Sequence, residues 1–572
     1  MARVTVPPLT VREALNLRTV AGLRVLTDLI AYRGPGHKHE LVEALVGYLA
    51  DPANLTSELG RLSELESAAV AEAAHSADGR FNAGAFRAKY GDTPSGAAGS
   101  RLALLFLGPS QIPAELCSLL SELTQAPAGA RLGGLEELEQ RSGLTVRMME
   151  LAGLADLGSV LRLCEAGALR CSDRTRRPTQ ATMLEVARVL SAGEIYSGGR
   201  GAIAAFAWPL LLQAGGLAEL VGTKLRLTSR GRAALTGTAP LTIRNLWQRW
   251  IGHGLLDEFN RIDEIKGQSG RGALTKVGPR RLAVAEGLAN CPADQWIAVD
   301  DFFRYLEAEE ADLEVARDPW KLYISDRQYG SLGYDGHHSW SILQGRYVLC
   351  LIFEYAATLG LVDVAYVEPE DARDDFCDNW GADDLDTLSR YDGLLHFRVN
   401  GLGAYVLGLA PDYQAAPPSA PTQSLRVQAN FEVVVPEPLD PTGLMLLRAY
   451  TEPKGDMVWR LTRARLMAAL EEGRDPAELV TFLEARSGGK LPNPVAALID
   501  DAVSAAGRLR DLGRVRLVEV EDAALLTLIS RDSRMAGLCQ RRGDRYLAVP
   551  LDRERAFLGE LRRLGYPLRP LR

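Results

Sequence analysis

Leu225-Arg226-Leu227-Thr228, Phe397-Arg398-Val399-Asn400 and Trp459-Arg460-Leu461-Thr462 repeat one short phrase three times along the chain. In each, two apolar residues flank an Arg with period two, the pattern of a short half-buried strand. Thr or Asn then stands where a helix N-cap is needed, and a helical run follows. Gly231 and Gly403 each fall three residues beyond the cap in the first two copies. The spacing predicts strand, cap and helix, three times over.

Repeated, Arg-bearing units of this kind resemble winged-helix modules in tandem, which implies an α+β chain that is mainly α. Such modules bind nucleic acid or one another and rarely do chemistry. Working outward from the first copy, residues 200–240 read as one module. Trp208-Pro209-Leu210-Leu211-Leu212 begins a buried helix, and Gly222-Thr223 is a hairpin turn with Lys224, Arg226, Arg230 and Arg232 around it. Residues 131–190 read as another module, with helices over 135–141 and 160–166 and a strand at Leu169-Arg170-Cys171. Arg174, Arg176 and Arg177 follow that strand, either as a wing on a phosphate backbone or as a solvated turn.

Residues 241–281 are the most basic interior stretch: Lys266, Arg271, Lys276, Arg280 and Arg281 lie among glycines, with no acid between Ile265 and Ala285. A glycine-rich cationic loop can follow a phosphate backbone closely, and a linker with incidental charge has the same composition. Residues 282–410 form an aromatic module whose acids outnumber its bases by about sixteen between Asp294 and Asp392. That surface repels nucleic acid and meets a protein or water. Pro and Ala mark 411–423 as a linker. Residues 53–130 read as a helical domain.

Composition bounds the rest. The length predicts about three to five domains. Net charge is -8, so binding to nucleic acid has to come from local patches. Seven cysteines are scattered singly, with no CxxC pair. This excludes a zinc ribbon or redox dithiol and suits a reducing compartment. Met1–Pro8 lacks a basic segment leading into an apolar core, and no apolar run is long enough to span a bilayer. The expected location is the cytoplasm, with the nucleoid as the place of work and no membrane partner.

Two resemblances refine this reading. Residues 1–52 contain two helical runs around Gly34-Pro35-Gly36, with Lys38 opening the second and Leu41, Leu45 and Leu49 on one stripe. The layout resembles a SAP motif, a two-helix DNA-binding unit. That resemblance implies that Arg33, Lys38 and His39 meet phosphate at a helix N-terminus; a plain helical hairpin has the same pattern. Residues 424–572 open with Gln428-Ala429-Asn430-Phe431-Glu432-Val433-Val434-Val435. They continue through Arg460-Leu461-Thr462, Gly473 and Leu491-Pro492-Asn493-Pro494-Val495. This order resembles the N-terminal domain of XPB-type helicases and of bacterial XPB-like, helicase-associated proteins. The resemblance implies a role beside DNA damage recognition, with a helicase or nuclease as partner.

The chain departs from a helicase where the chemistry would be. ATP hydrolysis needs GxxxxGK followed by Ser or Thr, so that backbone N–H groups cradle phosphate and the hydroxyl holds magnesium. Gly488-Gly489-Lys490-Leu491 lacks the hydroxyl, Gly222-Thr223-Lys224 lacks the spacing, and no Asp-Glu-x-His box occurs. Asp300-Asp301, Asp374-Asp375 and Asp383-Asp384 point apart on any helix and read as caps or solvated faces. Asp335 with His337-His338 has no HxxxH or HExxH spacing and reads as a polar turn. We therefore expect no enzyme activity and no cofactor or metal. Two functions stay open: a DNA-binding protein of repair, transcription or genome defence, and a scaffold that docks a motor or nuclease.

Overall fold

The computed structural model describes residues 9–569 except 96–99, 109, 140, 197–200, 269–272, 326–327, 329, 335–339, 371, 415–424, 437–438, 440, 456 and 507–513. The chain is α+β and mainly α. It divides into two compact units: Met1–Thr422 with Pro438–Leu446, and Gln423–Glu437 with Leu447–Arg572.

Among the described residues, the first unit begins with eight helices between Val11 and Leu123. Capping fixes several of their starts. Thr10, Ser63 and Asn82 each accept hydrogen bonds from the first turn of the helix that follows. Leu15, Leu23 and Leu45 share one core with Val70, Leu104 and Leu116, so residues on both sides of position 52 pack together. The buried Glu58 carboxylate is held there by the Tyr48 hydroxyl, Arg61 and Arg101.

A second, larger core runs from Met149 to Val406. Its sheet has the order Thr145–Arg147, Val362–Tyr366, Leu394–Val399, Trp296–Ala298, all antiparallel. Leu135 extends the last edge by exchanging both backbone hydrogen bonds with Trp296, each 2.8 Å. The described residues of 135–141 therefore form no helix, against the expectation. The demand of an exposed sheet edge for backbone partners outweighs the local periodicity there.

All three copies of the phrase fold as strand, cap and helix. Lys224–Leu227, Leu394–Val399 and Val458–Leu461 are strands. The side chains of Thr228, Asn400 and Thr462 accept from the N–H of Gly231, Gly403 and Arg465 and start the helices that follow. The first two copies share more. Gly216 and Gly360 leave the preceding helix with φ of +70° and +78°, the left-handed exit that glycine takes at no steric cost. Leu217 and Leu361 then donate back to Leu212 and Ala356, both at 2.9 Å, before the first strand of the pair.

A further copy of this layout lies within residues 150–187, where Leu169-Arg170-Cys171 carries the alternation but the capping Thr179 comes later. Gly167 leaves the helix Glu150–Glu165 with φ +70°. Ala168 donates back to Leu163, and Arg170 and Cys171 bridge to Lys224 and Pro178. Thr179 then caps the helix Gln180–Ala187. Thr182 stands where the other two copies have glycine, and its hydroxyl donates to the Arg170 carbonyl at 2.7 Å.

In the second unit, Thr451–Pro453, Val458–Leu461, Glu432–Val434 and Arg426–Val427 form a four-stranded antiparallel sheet in that order. A separate three-stranded sheet has the order Val515–Glu519, Tyr546–Pro550, Gln540–Arg542. Helices Ala523–Arg531 and Glu554–Arg563 cover one face of it through Leu526, Ile529, Phe557 and Leu561.

Candidate nucleic-acid interface

The hairpin Ala218–Val221/Lys224–Leu227 alternates sharply. Leu225 and Leu227 point into the core while Lys224 and Arg226 point out. Period two demands this once one face is buried. The strand residue Arg170 pairs with the other edge of Lys224–Leu227, directly opposite Lys224, and Cys171 donates to the Thr223 carbonyl at 2.9 Å. Opposite residues of an antiparallel pair share a face, about 5 Å apart, so Arg170 and Lys224 stand side by side, with Arg226 one row along. Arg170 is the residue that sequence reasoning missed as a site. Its signal, Leu169-Arg170-Cys171, has the same alternation as the phrase itself.

Arg174, Arg176 and Arg177 sit at the tip of the adjoining hairpin. Ser172 donates to the Arg177 carbonyl and Arg176 to the Ser172 carbonyl, both at 2.9 Å. Arg176 takes the left-handed φ of +62°, and Gln213 fixes its carbonyl at 3.1 Å. Arg230 lies in the first turn of the helix capped by Thr228, a turn with no acid. Among the described residues, Arg170, Arg174, Arg176, Arg177, Lys224, Arg226 and Arg230 make no ion pair, and all but the half-buried Arg177 are exposed. Glu219, cross-strand from Arg226, is the carboxylate on this face of the hairpin. Unpaired exposed guanidinium and ammonium groups in a row can release counterions from a phosphate backbone without first breaking an internal salt bridge.

The basic 241–281 stretch does not act as one loop. Two of its cations require correction. Arg280 and Arg281, on the helix Val277–Ala289, are each only 1% exposed. Arg280 is paired with Asp257 at 2.5 Å and stacks on Tyr347. Arg281 bonds Glu258 at 2.7 Å and donates to the carbonyls of Trp250, His253 and Leu256 while lying over the Trp250 ring. Neither head can reach a phosphate. Lys266 is exposed but donates to the Asp263 carbonyl, and Lys276 is exposed at the N-cap of the helix Val277–Ala289. Arg271 lies outside the described residues, as do Asp335, His337 and His338.

Lys38 stands apart from this face in sequence and in core. It is exposed and donates to the Asn16 carbonyl at 2.7 Å. Glu40, in the same first turn, accepts from the His37 N–H at 3.2 Å. A carboxylate therefore already occupies the helix end where phosphate was expected, and it opposes an anion there.

The repeated Arg meets three environments. Arg226 is free on the surface. Arg398 is paired with Asp363 at 2.8 Å and lies over Trp296. Arg460 stands cross-strand from both Glu432 and Glu452. Two further arginines are wholly structural. Arg346, fully buried, is held by Asp375 and Asp392, which together push its pKa well above the ordinary arginine value despite burial. Arg261 is clamped by Glu354, whose carboxylate also accepts from the Tyr391 hydroxyl. The carboxylate pairs resolve likewise: Asp300 bonds Arg373, Asp301 bonds Arg304 and Asp375 bonds Arg346.

Residues 425–544 match the family described as helicase conserved C-terminal domain, about a fifth of the chain. The chain carries a helicase-related domain. No curated protein matches it. Among the described residues, no helix is long and apolar enough to cross a membrane.

Proposed function

We propose that this protein binds DNA without catalysis, and that it serves repair, transcription or genome defence beside a helicase or nuclease. The observation that carries the reading is the outward row Arg170, Lys224 and Arg226, free of ion pairs and flanked by the Arg174–Arg177 tip. The three helix–hairpin–helix copies are read as winged-helix modules, with the 218–227 hairpin and the 171–178 turn as wings on the phosphate backbone. The helicase-type match at 425–544 supports work alongside a motor; residues 424–572 are read as resembling the N-terminal domain of XPB-type helicases on their sequence order alone. The first 52 residues, as a SAP-like pair, would add a second contact only through the exposed Lys38 ammonium and not through the helix end that Glu40 occupies. The absence of GxxxxGK[ST] from the sequence supports a role without ATP hydrolysis.

A gel-shift titration against salt tests this. We expect log affinity for duplex DNA to fall steeply with log salt, and the slope to flatten by about one per cation removed in Lys224→Gln and Arg226→Gln. No binding at low salt would refute the reading.

A scaffold role is favoured by one different observation. Trp320 and Trp380 are 52% and 73% exposed, both within the acidic 282–410 stretch. Exposed tryptophans are the side chains most often found at the centre of protein interfaces. A stable protein partner recovered with the chain, and lost in Trp380→Ala, would establish that role.

A further inference from the structure

The three-stranded sheet of the second unit buries only one of its faces. Val518, Leu547 and Val549 point into the core made with the helices Ala523–Arg531 and Glu554–Arg563. Alternation therefore puts Val515, Leu517 and Tyr546 on the opposite face. They are 44%, 57% and 39% exposed. Chain order is strand, helix, strand, strand, helix, and the third strand lies between the other two. Both helices are thus on one side, and the sheet is left open on the other.

The open face carries a mixed signature. Glu519 and Arg542 are the cross-strand neighbours of Tyr546, one on each side. Arg545, in the adjoining turn, is 3.3 Å from Glu519. Arg542 is exposed and bonds Gln540 rather than an acid. Adjacent strands stand about 4.8 Å apart and same-face residues on one strand about 6.8 Å apart. A phenol ring and two apolar side chains therefore form one shelf, with the exposed Arg542 on one side and the Glu519–Arg545 ion pair on the other. A single-stranded nucleic acid needs both parts: faces on which unpaired bases stack, and cations for the phosphates between them.

We propose that this sheet face binds single-stranded nucleic acid, with Tyr546 and Leu517 under the bases and Arg542 on the backbone. The site is separate from the hairpin surface of the first unit and does not depend on it. A protein with both surfaces would hold duplex and unpaired strand through different residues.

The test uses the full chain and a fluorescently labelled oligo-dT of about fifteen nucleotides, with anisotropy as the readout. Tyr546→Ala is expected to weaken binding roughly fivefold or more, and Tyr546→Phe to retain it. Leu517→Glu is expected to abolish it. Duplex binding should be unchanged in all three, and should respond instead to Lys224→Gln. Circular dichroism of the variants separates loss of site from loss of fold. Equal oligo-dT affinity in wild type and folded Tyr546→Ala overturns the proposal. So does a self-associated chain that Leu517→Glu converts to monomer, because the face is then an interface between copies. Absence of duplex binding in the wild-type chain, with oligo-dT binding present, would overturn the DNA reading of the hairpins and leave this one standing.

Discussion

Gly231 and Gly403 stand in the same place in two copies of one motif: a Cβ on either would lie 2.0 Å from a backbone carbonyl oxygen, that of Leu217 or of Leu361. In each copy that carbonyl also accepts from the cap residue's own N–H, from Thr228 at 3.0 Å and from Asn400 at 3.4 Å. The helix is thus pressed directly onto the start of the hairpin, and only a residue without a side chain allows it.

Gly231→Ala and Gly403→Ala are each expected to destabilise the protein by about 1–3 kcal/mol, because the backbone has to move to admit one methyl group. Gly158→Ala is the control. It lies in the helix Glu150–Glu165 with nothing within 4 Å of the added Cβ, and should stabilise by about 0.5–1 kcal/mol through helix propensity. Urea unfolding of the three variants reads the difference in sign.

The caps grade in strength. Thr462→Ala removes one N-cap bond and is expected to cost about 1 kcal/mol. Asn400→Ala should cost more. The Asn400 amide also donates to the Gly360 carbonyl at 3.0 Å and to Asp363 at 3.1 Å, both in a buried setting. Losing it removes two buried hydrogen bonds besides the cap, although Asp363 keeps the Met149 N–H and Arg398 as donors. Thermal unfolding that ranks Thr462→Ala as the costlier change would contradict the geometry.

These features separate what the sequence reveals from what it hides. The strand–cap–helix phrase is legible because period two, a capping oxygen and a small residue three places on are local requirements. The fates of the arginines are not local. Arg281 reads as a surface cation until Glu258, twenty-three residues earlier, is brought against it. Its true environment depends on the packing of the helices Ala239–Gly252 and Val277–Ala289. Leu135 fails as a helix for a similar reason, since its partner Trp296 is far along the chain. The outward face of Lys224 and Arg226 was readable, because alternation alone places them. The contribution of Arg170 was not, because it depends on which edge its strand joins.

The two kinds of arginine should separate in one experiment. Lys224→Gln with Arg226→Gln should leave stability within about 0.5 kcal/mol, as surface changes usually do, while lowering affinity for duplex DNA. Arg281→Met should destabilise by about 3–5 kcal/mol, because it leaves the buried Glu258 carboxylate uncompensated. At temperatures where Arg281→Met is still folded, its DNA affinity should equal wild type. Parallel denaturation and gel-shift curves check both. A folded Arg281→Met that binds DNA weakly would return Arg281 to the interface.

Asp156 gives the fold a pH dependence of definite sign. Burial pushes its pKa up to about 6, although the Ser191 N–H donates to the carboxylate at 2.7 Å and favours the charged form; Glu194 nearby adds to the upward shift. Below the ordinary aspartate value both folded and unfolded chains hold the proton. Between there and about pH 6 the unfolded chain releases it while the folded chain keeps it. Stability contributed by this group is therefore complete at the acid end, falls as pH rises through that window, and levels off above it. A shift of this size corresponds to about 3 kcal/mol in total. Asp156→Asn keeps an acceptor for Ser191 and cannot ionise. The stability difference between Asp156→Asn and wild type should therefore move in favour of the variant from pH 4 to pH 7, as read by urea unfolding at each pH. A difference that stays constant across the window would show that Asp156 titrates normally in the folded chain.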